Sequence, residues 1–148
     1  MSQPVPRSPL SAVFLLHVAL EAPIVVQTFL SPTSLPFMQM TNTTLVLLKL
    51  YAAISAATCL ASVLLFPLPE FLPGKRALAI AFCVYHSIAS TILFQAPRFI
   101  PHTFGAWFEA MKIIPENVWG TLHGLLGLAM VVWWQLTLPY AAAYRNGA

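Results

Sequence analysis

The chain has no aspartate and very little charge of any kind. Seven Lys/Arg and four Glu make up 7% of its 148 residues, against about a quarter in a typical soluble domain. So few charges cannot cover a water-facing surface, which excludes an ordinary soluble enzyme and a disordered chain. The net charge of +3 comes from scattered cations, too few to form the basic surface of a nucleic-acid module. Without aspartate there is no Asp-rich motif to hold a magnesium diphosphate, so membrane prenyl transfer is disfavoured. Cysteine is also scarce. Cys59 and Cys83 form no Cys-x-x-Cys motif, which argues against thiol–disulfide chemistry, and they read as small buried hydrophobes. The four histidines lack the dense pairs of membrane di-iron oxygenases. A metal site from His17, Glu21, His86 and His123 has no compact ligand motif behind it. There is no nucleophile elbow and no phosphate loop. What remains is cofactor-free proton chemistry on a lipophilic molecule, or plain ligand binding.

Hydrophobic residues are abundant, at 59%. Four stretches, about 9–30, 43–66, 76–95 and 117–138, reach the roughly 20 apolar residues of a membrane-spanning helix. Prolines and polar residues fill each gap, as expected at helix ends. The expected fold is all-α: one integral membrane four-helix bundle over residues 1–148, with both termini on one side and short lumenal lid-like segments. Arg7, Lys75, Arg76 and Arg145 share that side. Arg98 and Lys112 lie opposite, offset by Glu109 and Glu116. This bias places the termini in the cytoplasm, and the expected location is the endoplasmic reticulum membrane. The sequon Asn42-Thr43-Thr44 sits against the start of a span and is expected to be unused. Arg7 and Leu10–Leu20 have the outline of a signal peptide, but the apolar run continues past Glu21 without a small-x-small cleavage site.

The two lumenal gaps are unusually apolar. The first is Leu35-Pro36-Phe37-Met38-Gln39-Met40. The second carries Phe104, Trp107, Phe108 and Met111 at i, i+3, i+4 and i+7, a spacing that suits a short interfacial helix. It reads either as a lid over a lumen-facing pocket or, slightly favoured, as an aromatic anchor in the headgroup layer.

Ionisable residues inside a span are costly and face the bundle interior or a wet cavity. At 1.5 Å per residue, Glu21 lies about 13 Å below its lumenal end, Lys49 about 9 Å, Tyr51 about 12 Å, His86 about 13 Å and His123 about 9 Å. Four helices therefore place such a group in one slab. His17 is four residues from Glu21, on the same helical face. Lys49 and Tyr51 point to nearly opposite sides. Ser55 and Thr58 extend the face of Tyr51, so Tyr51 is expected to face the pocket while Lys49 snorkels to the interface. Ser55, Thr58, Ser87 and Ser90 read as packing residues. Gly120, Gly124 and Gly127 form a small-residue face for another helix, within one copy or in a homodimer. Glu21 is the leading functional candidate, because a carboxyl at this depth must be paired or held neutral.

The string Leu16-His17-x-x-Leu20-Glu21-x-Pro23, with Lys49-x-Tyr51, Tyr85-His86, Pro97-Arg98 and Leu122-His123-Gly124, resembles small fungal four-helix membrane proteins of secondary-metabolite pathways. That group includes membrane-embedded epoxide hydrolases and cyclases that open polyene-derived epoxides in polyketide biosynthesis. The resemblance implies functional roles for His17, Glu21, Tyr51, His86, Arg98 and His123, with Arg98 equally placed as a phosphate anchor at the membrane edge.

Epoxide opening needs an acid for the departing oxygen and a base for the attacking water or hydroxyl. Glu21 oriented by His17 is the expected base. Tyr51, with His86 or His123, is the expected donor. Tyr85, Arg98, Trp107, Asn117 and Trp119 are the expected substrate contacts. The expected partners are a lipophilic substrate and the bilayer, with no cofactor. Two other readings stand beside this one. One is a sterol- or terpene-type isomerase or cyclase, in which protonated Glu21 donates to an alkene and aromatic residues shield the cation. The other is a non-catalytic lipid-binding or assembly subunit.

Overall fold

The computed structural model describes residues 9–147, with side chains through residue 142. Arg7 lies outside the described residues, as does the Arg145 side chain. All regular structure among the described residues is helical. The elements are α1 (Ala12–Leu30), α2 (Asn42–Leu65), α3 (Pro73–Gln95), the short α4 (Ala106–Ala110), α5 (Pro115–Leu136) and α6 (Leu138–Gly147). Single 3₁₀ turns occupy Pro9–Ser11 and Pro32–Ser34.

Proline and hydroxyl residues set the boundaries. Pro73 and Pro115 open α3 and α5, where a missing N–H costs nothing. Thr41 caps α2 by accepting the N–H of Thr44 at 3.1 Å. The helices α1 and α3 end just before Ser31-Pro32 and Ala96-Pro97, since a residue preceding proline is pushed out of the helical region. α1 continues through Pro23, which has no N–H to give the Ala19 carbonyl. Between α4 and α5, Lys112 has a φ of 57°. The Asn117 side chain secures this turn by donating to the Lys112 carbonyl at 2.9 Å.

Residues 9–30, α2 and α3 are long and apolar enough to cross a membrane. α5 has the length, but glycines, His123 and Glu116 dilute its apolar content. All four long helices share a pattern inverted relative to a soluble bundle. On α2 the buried positions are Ala52, Ser55, Cys59 and Ser62, while Val46, Leu47, Leu50, Ile54, Leu60 and Leu64 point outward. On α5 the outward residues include Leu122, Leu125, Leu128, Val132 and Leu136, and His123 is buried. Polar groups inside and aliphatic groups outside are what a lipid solvent favours.

α2 lies along α1, α3 lies along α5, and α1 joins the two pairs by contacting α5. The glycine face of α5 is used inside the chain. Cβ atoms built at Gly120 and Gly124 would lie 3.2 Å from Leu93 Cβ and 3.0 Å from Ser90 Oγ, both on α3. Of the two uses expected for this face, the structure shows the intramolecular one.

The interior is stacked in layers. At the end near residue 75 lies a polar knot. Lys75 Nζ, fully buried, pairs with Glu70 at 3.0 Å, and it donates to Ser11 Oγ at 2.7 Å and to the Leu68 carbonyl at 2.8 Å. Lys75 and Glu70 are thus interior residues, not the solvent loop charges suggested by their sequence context. Arg76 is likewise committed, to Thr137 Oγ1 at 2.7 Å and over the ring of Trp134. Above the knot sits the apolar core of Val13, Phe14, Ala79, Phe82, Leu126, Met130 and Trp133. The polar cluster described next lies on top of it, with His17 stacked on Phe82 at a centroid distance of 4.1 Å.

Candidate active site

Glu21 is 1% exposed and stands on α1 amid three hydroxyls from two other helices. Tyr85 Oη donates to Oε1 at 2.7 Å, Tyr51 Oη to Oε2 at 2.7 Å and Ser55 Oγ to Oε2 at 3.2 Å. The two phenolic oxygens are 2.9 Å apart. His123 Nδ1 lies 3.9 Å from Oε1. Among the described residues, the carboxylates paired with Lys or Arg are Glu70 and Glu109, and Glu21 has no such cation.

Behind Glu21 runs a row of rings. His123 Nδ1 is 2.8 Å from His86 Nδ1, and His86 Nε2 is 3.0 Å from His17 Nδ1. His17 Nε2 is 3.0 Å from Thr58 Oγ1, whose hydroxyl donates to the Ser55 carbonyl at 2.9 Å. His17 therefore does not orient Glu21. It faces Thr58 and His86, while the hydroxyls of Tyr51, Tyr85 and Ser55 hold the carboxyl.

His17, Glu21 and His86 form a group whose ligand atoms lie within 4.8 Å of one another, so a metal must be weighed. His86 turns Nε2 to His17 and Nδ1 to His123, on different edges of its ring. In this structure the three groups are instead engaged in hydrogen bonds: His17 Nδ1 with His86 Nε2 at 3.0 Å, and both Glu21 oxygens with the hydroxyls of Tyr51, Ser55 and Tyr85.

An apolar cleft of about 420 Å³ lies against this cluster. Its walls include Leu48 of α2, Ile88, Ala89, Ile92 and Leu93 of α3 and Ala96 just past its end, and Tyr51, Tyr85, Trp119 and His123 form its polar end. The backbones of α2 and α3 stay apart, bridged by the Tyr51–Tyr85 contact, and the cleft lies between these two helices, each long and apolar enough to cross a membrane. Phe37 and Phe99 cap its outer end, their rings 5.7 Å apart. The Met38 N–H donates to the Phe99 carbonyl at 2.8 Å. Glu116, buried at the start of α5, accepts the N–H groups of Phe99 and Ile100 at 2.8 and 2.7 Å. The segment joining α1 to α2 is thus tied by a backbone bond to Phe99, which Glu116 in turn holds to the start of α5.

The structure brings His17, Glu21, Tyr51, Tyr85, His86 and His123 together and sets Trp119 on the cleft wall. Lys49 is exposed on the far side of α2. Arg98, Trp107 and Asn117 are elsewhere. Arg98 binds Glu109 at 2.8 Å and nearby loop carbonyls. Trp107 is exposed on α4, outside the cleft, and Asn117 is turned to Lys112. His86 is enclosed between His17 and His123 and does not reach the cleft. Sequence reasoning missed Ser55 and Thr58 as partners of Glu21 and His17. Their spacing from Tyr51, four and seven residues, was the available signal. No protein-family model, curated protein or solved structure matches the chain.

Proposed function

We propose that the protein is a cofactor-free acid–base enzyme that opens an epoxide on a lipophilic secondary-metabolite intermediate inside the membrane. One observation carries this reading: the polar end of an otherwise apolar cleft presents two phenols and an imidazole, backed by a buried carboxyl without a cation. The epoxide C–O bond breaks as its oxygen takes a proton from Tyr51 or Tyr85. Water or an internal hydroxyl forms the new C–O bond, and its proton passes to Glu21, directly or through His123. Protonated Glu21 then restores the tyrosine across a 2.7 Å contact. Positioned donors in a water-poor site are worth more than in solution. Of the residues to which the resemblance to fungal membrane epoxide hydrolases and cyclases assigns roles, His17, Glu21, Tyr51, His86 and His123 lie in this cluster, in support of the same reaction class, while Arg98 pairs with Glu109 outside it.

In this reading α5 is the fourth span. Its outward row of leucines and valines suits lipid, and its polar groups face inward. Both termini then share one side, taken as cytoplasmic, in the endoplasmic reticulum membrane.

The test is turnover of lipophilic epoxides by the purified protein in lipid vesicles. Glu21→Gln is expected to lower turnover by roughly 10²–10⁴-fold, the usual worth of a positioned acid–base group, with an unchanged melting temperature. Full activity in Glu21→Gln defeats the mechanism. The absence of a Lys or Arg partner also suits a protonated Glu21 acting on an alkene, as an isomerase would. Heavy-oxygen water labels a hydrolysis product, whereas deuterated water labels an isomerisation product on carbon. A stably co-purifying protein partner without any turnover points to the assembly-subunit reading.

A further inference from the structure

We infer that Thr58 sets the direction of the imidazole chain, and so makes His123 Nε2 a proton acceptor at the cleft wall. Thr58, His17 and His86 are then positioning residues. The inference rests on the acid–base reading above and adds the identity of the accepting atom and of the group that orients it.

A row of neutral imidazoles has two self-consistent directions, since each ring carries one donor and one acceptor. Either every proton points toward Thr58 or every proton points toward the cleft. Thr58 decides between them. Its Oγ1 lies 2.9 Å from the Ser55 carbonyl, and a carbonyl only accepts, so Thr58 spends its one proton there. Its lone pair is left for His17, and His17 Nε2 must donate. His17 Nδ1 is then bare and accepts from His86 Nε2–H at 3.0 Å. His86 Nδ1 is bare in turn and accepts from His123 Nδ1–H at 2.8 Å. The last ring is left with an unprotonated Nε2, and His123 is the member of the chain that lines the cleft.

A second observation favours the same direction. His123 Nδ1 is 3.9 Å from Glu21 Oε1. In the forward chain a proton sits on that nitrogen, close to the carboxyl. In the reversed chain that nitrogen carries no proton and turns its negative lone-pair density to the neighbourhood of the carboxyl, and Thr58 gives up its bond to Ser55. When Nε2 takes the proton of the attacking hydroxyl, Glu21 is at hand to neutralise the imidazolium.

The experiment is nitrogen NMR of ¹⁵N-histidine protein in lipid bilayers, which separates protonated from bare ring nitrogens without any substrate. The expected wild-type result is His123 protonated at Nδ1 and bare at Nε2. Thr58→Val keeps the shape but removes the acceptor. It should move a large share of the His123 proton to Nε2 and lower kcat by about 10²-fold with little change in KM. Thr58→Ser should restore both. A wild-type His123 protonated at Nε2 overturns the inference, and so does an unchanged His123 in folded Thr58→Val. If Thr58→Val does not fold, the wild-type and Thr58→Ser spectra still decide the direction. If the spectra behave as expected while no epoxide is opened, the orientation stands and the reaction assignment fails.

Discussion

The hydroxyls around Glu21 are shared unequally between its two oxygens. Oε2 receives both Tyr51 and Ser55, while Oε1 receives Tyr85 alone, with His123 at 3.9 Å. Tyr85→Phe therefore strips Oε1 of its only close donor, whereas Tyr51→Phe leaves Ser55 on Oε2. A buried acceptor without a partner costs about 1–3 kcal/mol, so Tyr85→Phe should lower the melting temperature more than Tyr51→Phe. Turnover should fall in both, and the double variant should lose less than the product of the single losses, because the two phenols share one carboxyl. Thermal melting and kinetics of the three variants check this. Depth counting from the span ends could bring Glu21, Tyr51, His86 and His123 to one level in the sequence. It could not find Ser55 and Thr58 as their partners. Hydroxyl residues are common in membrane helices for packing alone, and which neighbour they meet depends on which helices pair.

The helices themselves were legible because proline marks their ends. The expected stretches 9–30, 43–66, 76–95 and 117–138 fall within three residues of the observed boundaries. The segment joining α2 and α3 was not legible. Pro67 through Leu72 reads as a proline-marked gap between spans, yet it folds back so that Glu70 meets Lys75 and Ser11 inside the protein. Nothing in local spacing announces a contact between residues 11 and 70. This knot ties the start of α1 to the start of α3. Lys75→Met leaves Glu70 buried and uncompensated and should cost about 3–5 kcal/mol. The double variant Lys75→Met/Glu70→Leu should recover most of that loss. Unfolding in detergent reads both effects, and a double variant as unstable as the single one would show that the charge pair is not the source.

At the scale of the whole molecule, composition indicated the solvent, and the inverted pattern of buried and outward residues agrees with it. The assembly of two helix pairs was not readable from one sequence, because each apolar face suits lipid and protein equally. That assembly creates the gap between α2 and α3 in which the cleft lies. Ala89 sits on its wall, and Ala89→Trp should fill the space without touching the hydrogen-bonded cluster. The expected outcome is a folded protein with an unchanged histidine NMR spectrum and at least a tenfold rise in KM. Unchanged kinetics would place the substrate elsewhere.

The cleft also has a fixed length. Its wall runs along α3 from Tyr85 to Leu93, eight residues and therefore about 12 Å of helix rise, between the Tyr51 and Tyr85 hydroxyls and the Phe37–Phe99 cap. A molecule that fills it is measured as well as held. In the proposed reaction, among several similar oxygen functions on one chain, the one that reacts is the one whose distance from the far end matches this wall. The bundle then works as a ruler: moving the cap by one helical turn should move the reacting carbon along the substrate, with the chemistry unaltered.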